Sequence, residues 1–248
     1  MSALLDDAFL EAHRLLADRV GPRASRPGSG RDPEDPAAVQ AMQLVLEVPR
    51  EGGASRSEML RDAAQAAVAV CLDERAGRDG FWRARLEAWY SLRIRKVARR
   101  ARNKAWDDVQ ALPGVTVGSV RAFVPSAVGD VPREIRKLQI KGTELSSGDG
   151  PAPLDPGAPT LVVNADLEMS AGKAAAQVGH ASMLYAAALG AEEARAWAAA
   201  GFPLNVREVG AAEFGLYAAE AGAVPVRDAG FTEVAPGSVT VVAVPPGV

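Results

Sequence analysis

The first half of the chain alternates between helix-like and strand-like hydrophobic patterns. Leu4, Phe9, Leu16 and neighbouring apolar residues fall near helical spacing, which predicts an amphipathic helix over residues 3–20. Residues 21–37 are rich in Gly, Pro, Ser and Arg, a composition typical of a linker. Beyond it the pattern predicts, in order, a strand at 42–48, helices at 57–74 and 80–89, a strand at 92–97, a helix that ends near residue 111, and short strands within 115–123 and 135–141.

A second segment rich in Gly and Pro, 145–159, is the clearest candidate for a domain boundary. After it the pattern predicts strands at 161–165, 204–209, 223–227 and 239–244, and helices at 171–189, 191–200 and 211–221, with Gly190 and Gly222 as helix stops. The predicted organisation is an N-terminal helix and linker (1–37), a first α/β unit (38–144), a linker (145–158) and a second α/β unit (159–248).

The two units share an order of elements and a weak internal repeat. A shift of 112 residues places Arg61 and Gln65 on Lys173 and Gln177, and it also aligns residues 92–97 with 204–209. Alanine-rich helices align by chance as well, so chance similarity is the alternative explanation. One offset that matches both a helix and a strand favours a duplication. We therefore predict two copies of one α/β unit that pack as an intrachain pseudo-dimer.

The composition is that of a globular protein, with 48% hydrophobic and 24% charged residues. Its apolar stretches are far shorter than the roughly 20 residues of a membrane helix, and its first residues lack the basic region of a signal peptide. We therefore expect a cytoplasmic protein without membrane contact. The single cysteine, Cys71, excludes an internal disulfide and a multi-cysteine zinc site, and two histidines leave few metal ligands. We expect neither metal nor cofactor.

The net charge of −3 argues at first against a nucleic-acid partner, but the charges are unevenly distributed. Residues 1–150 carry 24 basic and 21 acidic side chains, whereas residues 151–248 carry 4 basic and 10 acidic ones. The first half holds a dense cluster, Arg93–Lys104, with seven cations in 12 residues and no acid. It is flanked by Trp82, Trp89, Tyr90 and Trp106.

This basic cluster has two interpretations. It is either a solvated helix face beside aromatic core residues, or a phosphate-binding patch whose aromatic rings stack on bases. In the second interpretation Arg95, Arg99, Arg100 and Arg102 are the candidate contacts to a nucleic-acid substrate.

Two polar constellations in the second half are candidates for chemistry. Lys173, Gln177 and His180 recur at i, i+4 and i+7 and so line one face of the predicted helix at 171–189. The alternative is a solvated first turn with a histidine at the edge of the core. Asp228 ends a predicted strand and runs into a glycine turn, with Thr232 nearby. The alternative there is an aspartate that caps its own turn.

Taken together, two motifs resemble the archaeal and eukaryotic type of peptidyl-tRNA hydrolase. They are the stretch DLEMSAGKAAAQVGHA at 166–181 and the stretch DAGFTEVAPGS at 228–238. The resemblance covers about residues 159–247 and implies a mixed four-stranded sheet with helices on both faces. It also implies hydrolysis, without metal, of the ester that joins a peptide to the 3′ ribose of tRNA. The residues that carry over are Lys173, Gln177, His180, Asp228 and Thr232, and Ser238 lies at the end of the second motif.

Ester hydrolysis needs a positioned water, a proton acceptor and positive charge near the oxyanion. The resemblance thus implies that Asp228 orients or deprotonates water and that Lys173 stabilises the oxyanion or holds the tRNA end. Gln177, Thr232 and Ser238 then position water and substrate, and His180 is an orienting group or a base.

The chain also departs from the family pattern. Asn164, Glu168, Ala171 and Phe231 stand where the family usually carries basic residues. Loss of these cations weakens phosphate binding. Two further functions therefore stay open: a non-catalytic tRNA- or ligand-binding regulatory protein on the same fold, and hydrolysis of a small acyl ester or amide. In the duplication hypothesis, Val68 replaces His180 and no carboxylate stands near 116–119, so the first copy is predicted to be an inactive partner with a basic surface.

Overall fold

The computed structural model describes residues 2–22, 31–140, 142, 154–230 and 232–247. The first half contains α1 (Ser2–Val20), β1 (Gln40–Glu47), α2 (Arg56–Cys71), α3 (Phe81–Tyr90), β2 (Lys96–Ala101), α4 (Lys104–Val109), β3 (Gly114–Val117), β4 (Val120–Phe123), β5 (Ser126–Ala127) and α5 (Arg133–Arg136). The second half contains β6 (Thr160–Asn164), α6 (Ala171–Ala188), α7 (Ala191–Ala199), β7 (Asn205–Val209), α8 (Ala211–Ala218), β8 (Val224–Arg227) and β9 (Val239–Val244). Most of the linker predicted at 145–158 lies outside the described residues.

Each half builds one mixed sheet, and the two sheets have the same topology. The first has the strand order β2-β1-β4-β3, with the short β5 also paired to β1, and the second has the order β7-β6-β9-β8. In both, the first strand pairs in parallel with the strand after the helices, and antiparallel with the second strand of an antiparallel pair, β3–β4 or β8–β9. The predicted α/β class and the two mixed sheets are confirmed, and β5 adds a fifth strand to the first sheet.

Helices cover both faces of each sheet. The inner faces of both sheets, together with α2, α3 and α6, enclose one continuous apolar core that includes Leu44, Leu46, Leu161 and Val163. The outer face of the first sheet packs on α4 and α5, and the outer face of the second packs on α8. Among the helices of the described residues, none is long and apolar enough to cross a membrane.

Helices α2 and α6 pack directly against each other, because small residues line the contact. A Cβ on Gly179 would lie 3.1 Å from the Cβ of Ala67, so glycine allows the close approach. Ser182 Oγ donates to the carbonyl of Ala64 across the same contact at 2.8 Å. Beside this contact, Arg56 of α2 forms a salt bridge to Glu208 of β7 at 2.9 Å.

Helix α1 packs on both halves, against Glu74–Gly77 of the first and against α6 and α7 of the second. Its His13 Nε2 lies 3.0 Å from the carbonyl oxygen of Ala186 in α6, and Leu16 is fully buried. The predicted helix at 3–20 is therefore confirmed, and the contact ties the N-terminal segment to the core of both halves.

Three sequence predictions are wrong, two in the first half and one at a helix end. The strand predicted at 92–97 begins at Lys96 and continues to Ala101, where a helix was expected to resume. The short strands predicted within 115–123 are confirmed as the hairpin of β3 and β4. Residues 135–141, predicted as a strand, instead hold a helical turn and a single bridge from Gln139 to Arg100. Helix α6 ends before Gly190, which instead caps α7.

Candidate functional site

The two motifs of the second half meet where β8 ends beside the first turns of α6. Lys173 Nζ donates to Asp228 Oδ2 at 2.6 Å and to Thr232 Oγ1 at 3.0 Å. The side chains of Lys173 and Asp228 are only 10% and 9% exposed, so this ion pair is largely removed from water. The structure thus brings together three of the four residues that the sequence singled out as catalytic.

Local structure holds Lys173 at the start of α6. Ser170 caps the helix by accepting from the backbone N–H of Lys173 at 3.2 Å. Glu233 accepts from both the backbone N–H and the hydroxyl of Ser170 at 2.8 Å, which fastens the loop after β8 to the helix start. A cation in the first helical turn opposes the helix dipole, and the carboxylate of Asp228 offsets that cost.

Main-chain hydrogen bonds in the loop after β8 fix the position of the Asp228 carboxylate. The backbone N–H of Asp228 donates to the carbonyl of Ser238 at 2.9 Å, and Gly237 N donates back to the carbonyl of Asp228 at 2.7 Å. Gly230 N donates to Asp228 Oδ1 at 2.7 Å. Gly230 has a φ of +77°, and a Cβ there would lie 2.4 Å from the ring of Pro236. Only glycine fits this turn.

Gln177 is clamped between Asp228 and the sheet. Its Nε2 donates to Asp228 Oδ2 at 2.8 Å, and its Oε1 accepts from the Thr240 hydroxyl at 2.6 Å. Gln177 is 4% exposed and Thr240 is fully buried. This hydrogen-bond chain from β9 sets the orientation of the carboxylate, whereas Ser238, predicted to bind substrate, contributes a main-chain contact.

These polar groups open into a cavity of about 840 Å³ between the two halves of the molecule. One wall is α6 and the loop after β8, and the opposite wall is residues 93–98 of the first half. Val20 of α1 and Ile140 also line it. The volume lies within the range of roughly 300–1,000 Å³ usual for small-molecule sites. The catalytic candidates and the first three cations of the basic cluster, Arg93, Arg95 and Lys96, therefore face one space, although they are far apart in sequence.

His180 lies deeper along α6 in the same cavity, on the side of the first half. Its Nδ1 is 3.0 Å from Lys96 Nζ, which in turn lies 5.2 Å from the centre of the Trp89 ring. Burial, aided by the cations of Lys96 and Lys173, holds the pKa of His180 well below its usual 6.5. Burial also lowers the pKa of Lys96 from 10.5 to about 7. His180 is therefore neutral at physiological pH.

The predicted phosphate contacts have different environments. Arg95 lines the cavity and pairs with Asp32 at 2.9 Å. Arg99 donates to Gln43 and to a main-chain carbonyl, and Arg100 donates to Gln139 and to the carbonyl of Gly142. Arg102 is exposed to solvent at the end of β2.

Of the aromatic residues that flank this cluster, Trp82, Trp89 and Tyr90 are core residues, each at most 5% exposed. They are therefore not available to stack on bases. The cluster itself is an edge strand rather than a helix face, and charged side chains are a usual protection of such an edge.

Sequence reasoning missed Lys96, Glu233 and Thr240 as parts of this site. Lys96 had a detectable signal, because the chain has only 5 lysines against 23 arginines. Phe231, one of the departures from the family pattern, lies outside the described residues.

Elsewhere a smaller cavity of about 220 Å³ contains the Arg56–Glu208 salt bridge and none of the predicted catalytic groups. Within the described part of the chain, no three His, Cys, Asp or Glu residues are grouped so as to hold a metal ion.

Three comparisons with known proteins gave one match. No match was found among curated proteins or among solved structures. A family model does match, over a stretch that contains the whole of the second sheet, α6 and the loop after β8. The resemblance indicated by the two motifs is thereby confirmed: residues 159–248, the C-terminal part of this chain, match the family described as peptidyl-tRNA hydrolase PTH2.

Proposed function

We propose that this protein hydrolyses the ester between a peptide and the 3′ ribose of tRNA in the cavity between its two halves. The observation that carries the proposal is the buried Lys173–Asp228 ion pair on the wall of an open cavity, within the residues that match the family. A buried pair of opposite charges beside open space is typical of a site that meets developing charge in a substrate.

The hydrogen-bond inventory supports distinct roles for the two charges. An ammonium has three N–H donors, and among the described residues Lys173 uses one on Asp228 and one on Thr232. The third is left for a substrate oxyanion. Asp228 Oδ2 accepts twice, but Oδ1 accepts only from Gly230 N among these residues. Since each carboxylate oxygen offers about two lone-pair sites, Oδ1 has one for a water molecule.

The reaction follows from these roles. A water held by Asp228 Oδ1 attacks the ester carbonyl carbon and transfers a proton to the carboxylate. The carbonyl oxygen becomes an oxyanion, which Lys173 stabilises. The bond from carbon to the 3′ oxygen of the ribose then breaks, and that oxygen takes the proton from Asp228. The products are a free peptide carboxyl and a tRNA hydroxyl, and no metal or cofactor takes part in this scheme.

The experiment is single-turnover release of labelled peptide from peptidyl-tRNA. We expect Asp228→Asn and Lys173→Met each to slow release by about 10²–10³-fold, the cost of removing one charge-stabilising donor. Lys137→Met is the matched control, because it removes an ammonium from a surface pair with Asp108. Equal rates in all four proteins would refute the mechanism. Cleavage of short acyl esters as fast as of peptidyl-tRNA would assign the site to small esters instead.

We propose that the first half holds the tRNA backbone. Arg93 and Arg95 border the cavity and Arg102 lies exposed on the same strand edge, so phosphates leading to the site pass these cations. Replacing Arg102 by alanine should weaken tRNA binding and lower the salt slope of the binding constant by about 1. An unchanged slope would remove Arg102 from the binding surface.

A second candidate is a non-catalytic tRNA- or ligand-binding protein. One observation favours it: Lys173 and Asp228 neutralise each other's charge, in a half of the chain that carries 4 basic and 10 acidic side chains. Binding of peptidyl-tRNA without release of peptide, in wild type and in Asp228→Asn alike, would select this candidate.

We also propose that the two halves are copies of one α/β unit, of which the first is inactive. In support, the sheets share a strand order, and the halves exchange contacts: β2 supplies Lys96 to α6, and β7 supplies Glu208 to α2. In the first half, the turn between β3 and β4 is formed by Gly118 and Ser119 and has no carboxylate of its own. The carboxylate beside it belongs to Asp62 of α2 and accepts from Ser119 N at 2.8 Å and from Ser119 Oγ at 3.0 Å.

The inactive first copy has its own test. Arg61, the sequence counterpart of Lys173, is replaced by methionine and peptide release is measured. We expect the wild-type rate, in contrast to Lys173→Met. A loss of rate comparable to that of Lys173→Met would show that the first half takes part in the chemistry.

A further inference from the structure

One lysine of the first half reaches a candidate catalytic side chain of the second half. Lys96, the first residue of β2, places its Nζ 3.0 Å from Nδ1 of His180 in α6. Its stem lies against the helix backbone, since a Cβ on Gly179 would be 3.2 Å from both Cδ and Cε of Lys96. The ring of Trp89, 5.2 Å from Nζ, closes the other side. The lysine therefore has little freedom to turn elsewhere.

The chemistry of this contact determines where the histidine carries its proton. An ammonium only donates hydrogen bonds, so a protonated Lys96 requires Nδ1 of His180 to be the acceptor. A neutral imidazole with an unprotonated Nδ1 has its proton on Nε2. Among the described residues, Nε2 of His180 has no hydrogen-bond partner, while the side chain lines the cavity. The Nε2–H of His180 is therefore available to a substrate bound in the cavity.

We propose that Lys96 is a positioning residue for the site: it donates to Nδ1 of His180 and so presents the Nε2–H of that ring as a hydrogen-bond donor to an acceptor oxygen of the substrate. The role of His180 as donor rests on the proposed hydrolysis, whereas the position of its proton does not. In this arrangement His180 is not the general base, because Nδ1 is occupied and Nε2 already carries its proton.

The charged and titratable surroundings agree with this arrangement. Lys173 lies on the same helix, and its positive charge also disfavours an imidazolium at His180. From α2, Cys71 faces Lys96, but burial raises the pKa of this thiol to about 11, so it supplies no counter-ion at neutral pH. Trp89 of α3 offers only a ring face. No group that faces the pair from α2 or α3 competes for the imidazole proton.

The test is a measurement of the histidine tautomer by long-range ¹H–¹⁵N NMR at pH 6, where Lys96 is protonated. The chain has 2 histidines, so a His180→Gln variant assigns both spin systems. We expect His180 to show an unprotonated Nδ1 and a protonated Nε2. A protonated Nδ1 in the wild type would overturn the proposal without any variant.

The matched variants are Lys96→Met and Lys137→Met. Lys96→Met should give a mixture of tautomers and raise the pKa of His180 towards 6.5, because a neighbouring cation is gone, and Lys137→Met should leave both unchanged. An unaltered His180 spectrum in Lys96→Met would overturn the proposal. For hydrolysis, Lys96→Met should raise KM more than it lowers kcat. If Lys96→Met changes the tautomer of His180 but the wild-type protein releases no peptide, the proposed function is refuted and the positioning role stands.

Discussion

Replacing Lys173 by methionine should destabilise the protein as well as inactivate it. The methionine keeps an unbranched stem but removes the ammonium, which lies 2.6 Å from Asp228. Asp228 is 9% exposed, so its carboxylate would stay buried with two N–H donors, from Gln177 and Gly230, and no cation. Removing one partner of a buried ion pair costs about 3–5 kcal/mol.

The expected change is large enough to measure by thermal unfolding. For a domain of this size, about 3 kcal/mol lowers Tm by roughly 6–12 °C. The matched control is Lys137→Met, whose side chain is 49% exposed and 3.3 Å from Asp108. An exposed pair contributes about 0.2–1 kcal/mol, so Tm should fall by roughly 4 °C at most.

The double variant Lys173→Met/Asp228→Asn separates stability from activity. With both charges gone, no uncompensated charge is buried, and the double variant should be more stable than the sum of the single effects by about 2 kcal/mol. Its release of peptide from peptidyl-tRNA should still be slower than that of the wild type by about 10²-fold or more. If the single effects on stability simply add, the two charges are not coupled and the reasoning about the ion pair fails.

Three further predictions concern the turn, the pH dependence and the contact between the halves. Gly230→Ala should abolish peptide release and lower Tm, because its Cβ would collide with Pro236 at 2.4 Å. Gly237→Ala is the control: no atom lies within 4 Å of its Cβ, so it should cost only about 1–2 kcal/mol of backbone strain. Equal losses of Tm in the two variants would contradict the collision with Pro236. Stability should rise from pH 7 to 9, because the folded chain loses the proton of Lys96 near pH 7 and the unfolded chain keeps it to about 10.5; denaturant titrations of Lys96→Met should lack this rise. Arg56→Met should cost about 3 kcal/mol in the same titrations, since it leaves a carboxylate of β7 without its cation; a loss below about 1 kcal/mol would show that the salt bridge between the halves is dispensable.

Local pattern predicted most of the second half because its elements agree with their own sequences. Helix α6 is rich in alanine behind a serine cap, despite Gly172 and Gly179, and its bounds were predicted to within one residue. The strands β6 and β9 are continuous Val-rich runs buried in the sheet. The polar row along α6 and the loop at 228–238 then located Lys173, Gln177, Asp228 and Thr232.

The strand β2 was misplaced because its sequence favours a different structure. Its residues, KVARRA, are mostly good helix formers, and only Ala98 and Ala101 are buried. The strand forms because β1 offers a ladder from Met42 to Glu47, a contact made by residues more than 50 positions away. Tertiary pairing overrides local propensity here.

The same physics explains why Lys96 escaped sequence reasoning. Its role depends on a contact with a helix 84 residues further along the chain, and on a glycine that lets the two elements approach. The hydrophobic periodicity within either half does not predict the contact between Lys96 and His180. The only feature of the sequence that singled out Lys96 was the rarity of lysine in an arginine-rich chain.

The packing of α6 has a consequence for how this molecule folds. Buried residues lie all around the helix, against its own sheet on one side and against α2 and α1 on the others. Apart from the polar row that lines the cavity, the surface of α6 is apolar, so a fragment of residues 159–248 would expose to solvent the face that α2 now covers. We expect calorimetry of the full chain to show one transition for both halves, and the isolated fragment to aggregate or to pair with itself. We therefore expect that residues 159–248, the segment that matches the family, do not fold on their own.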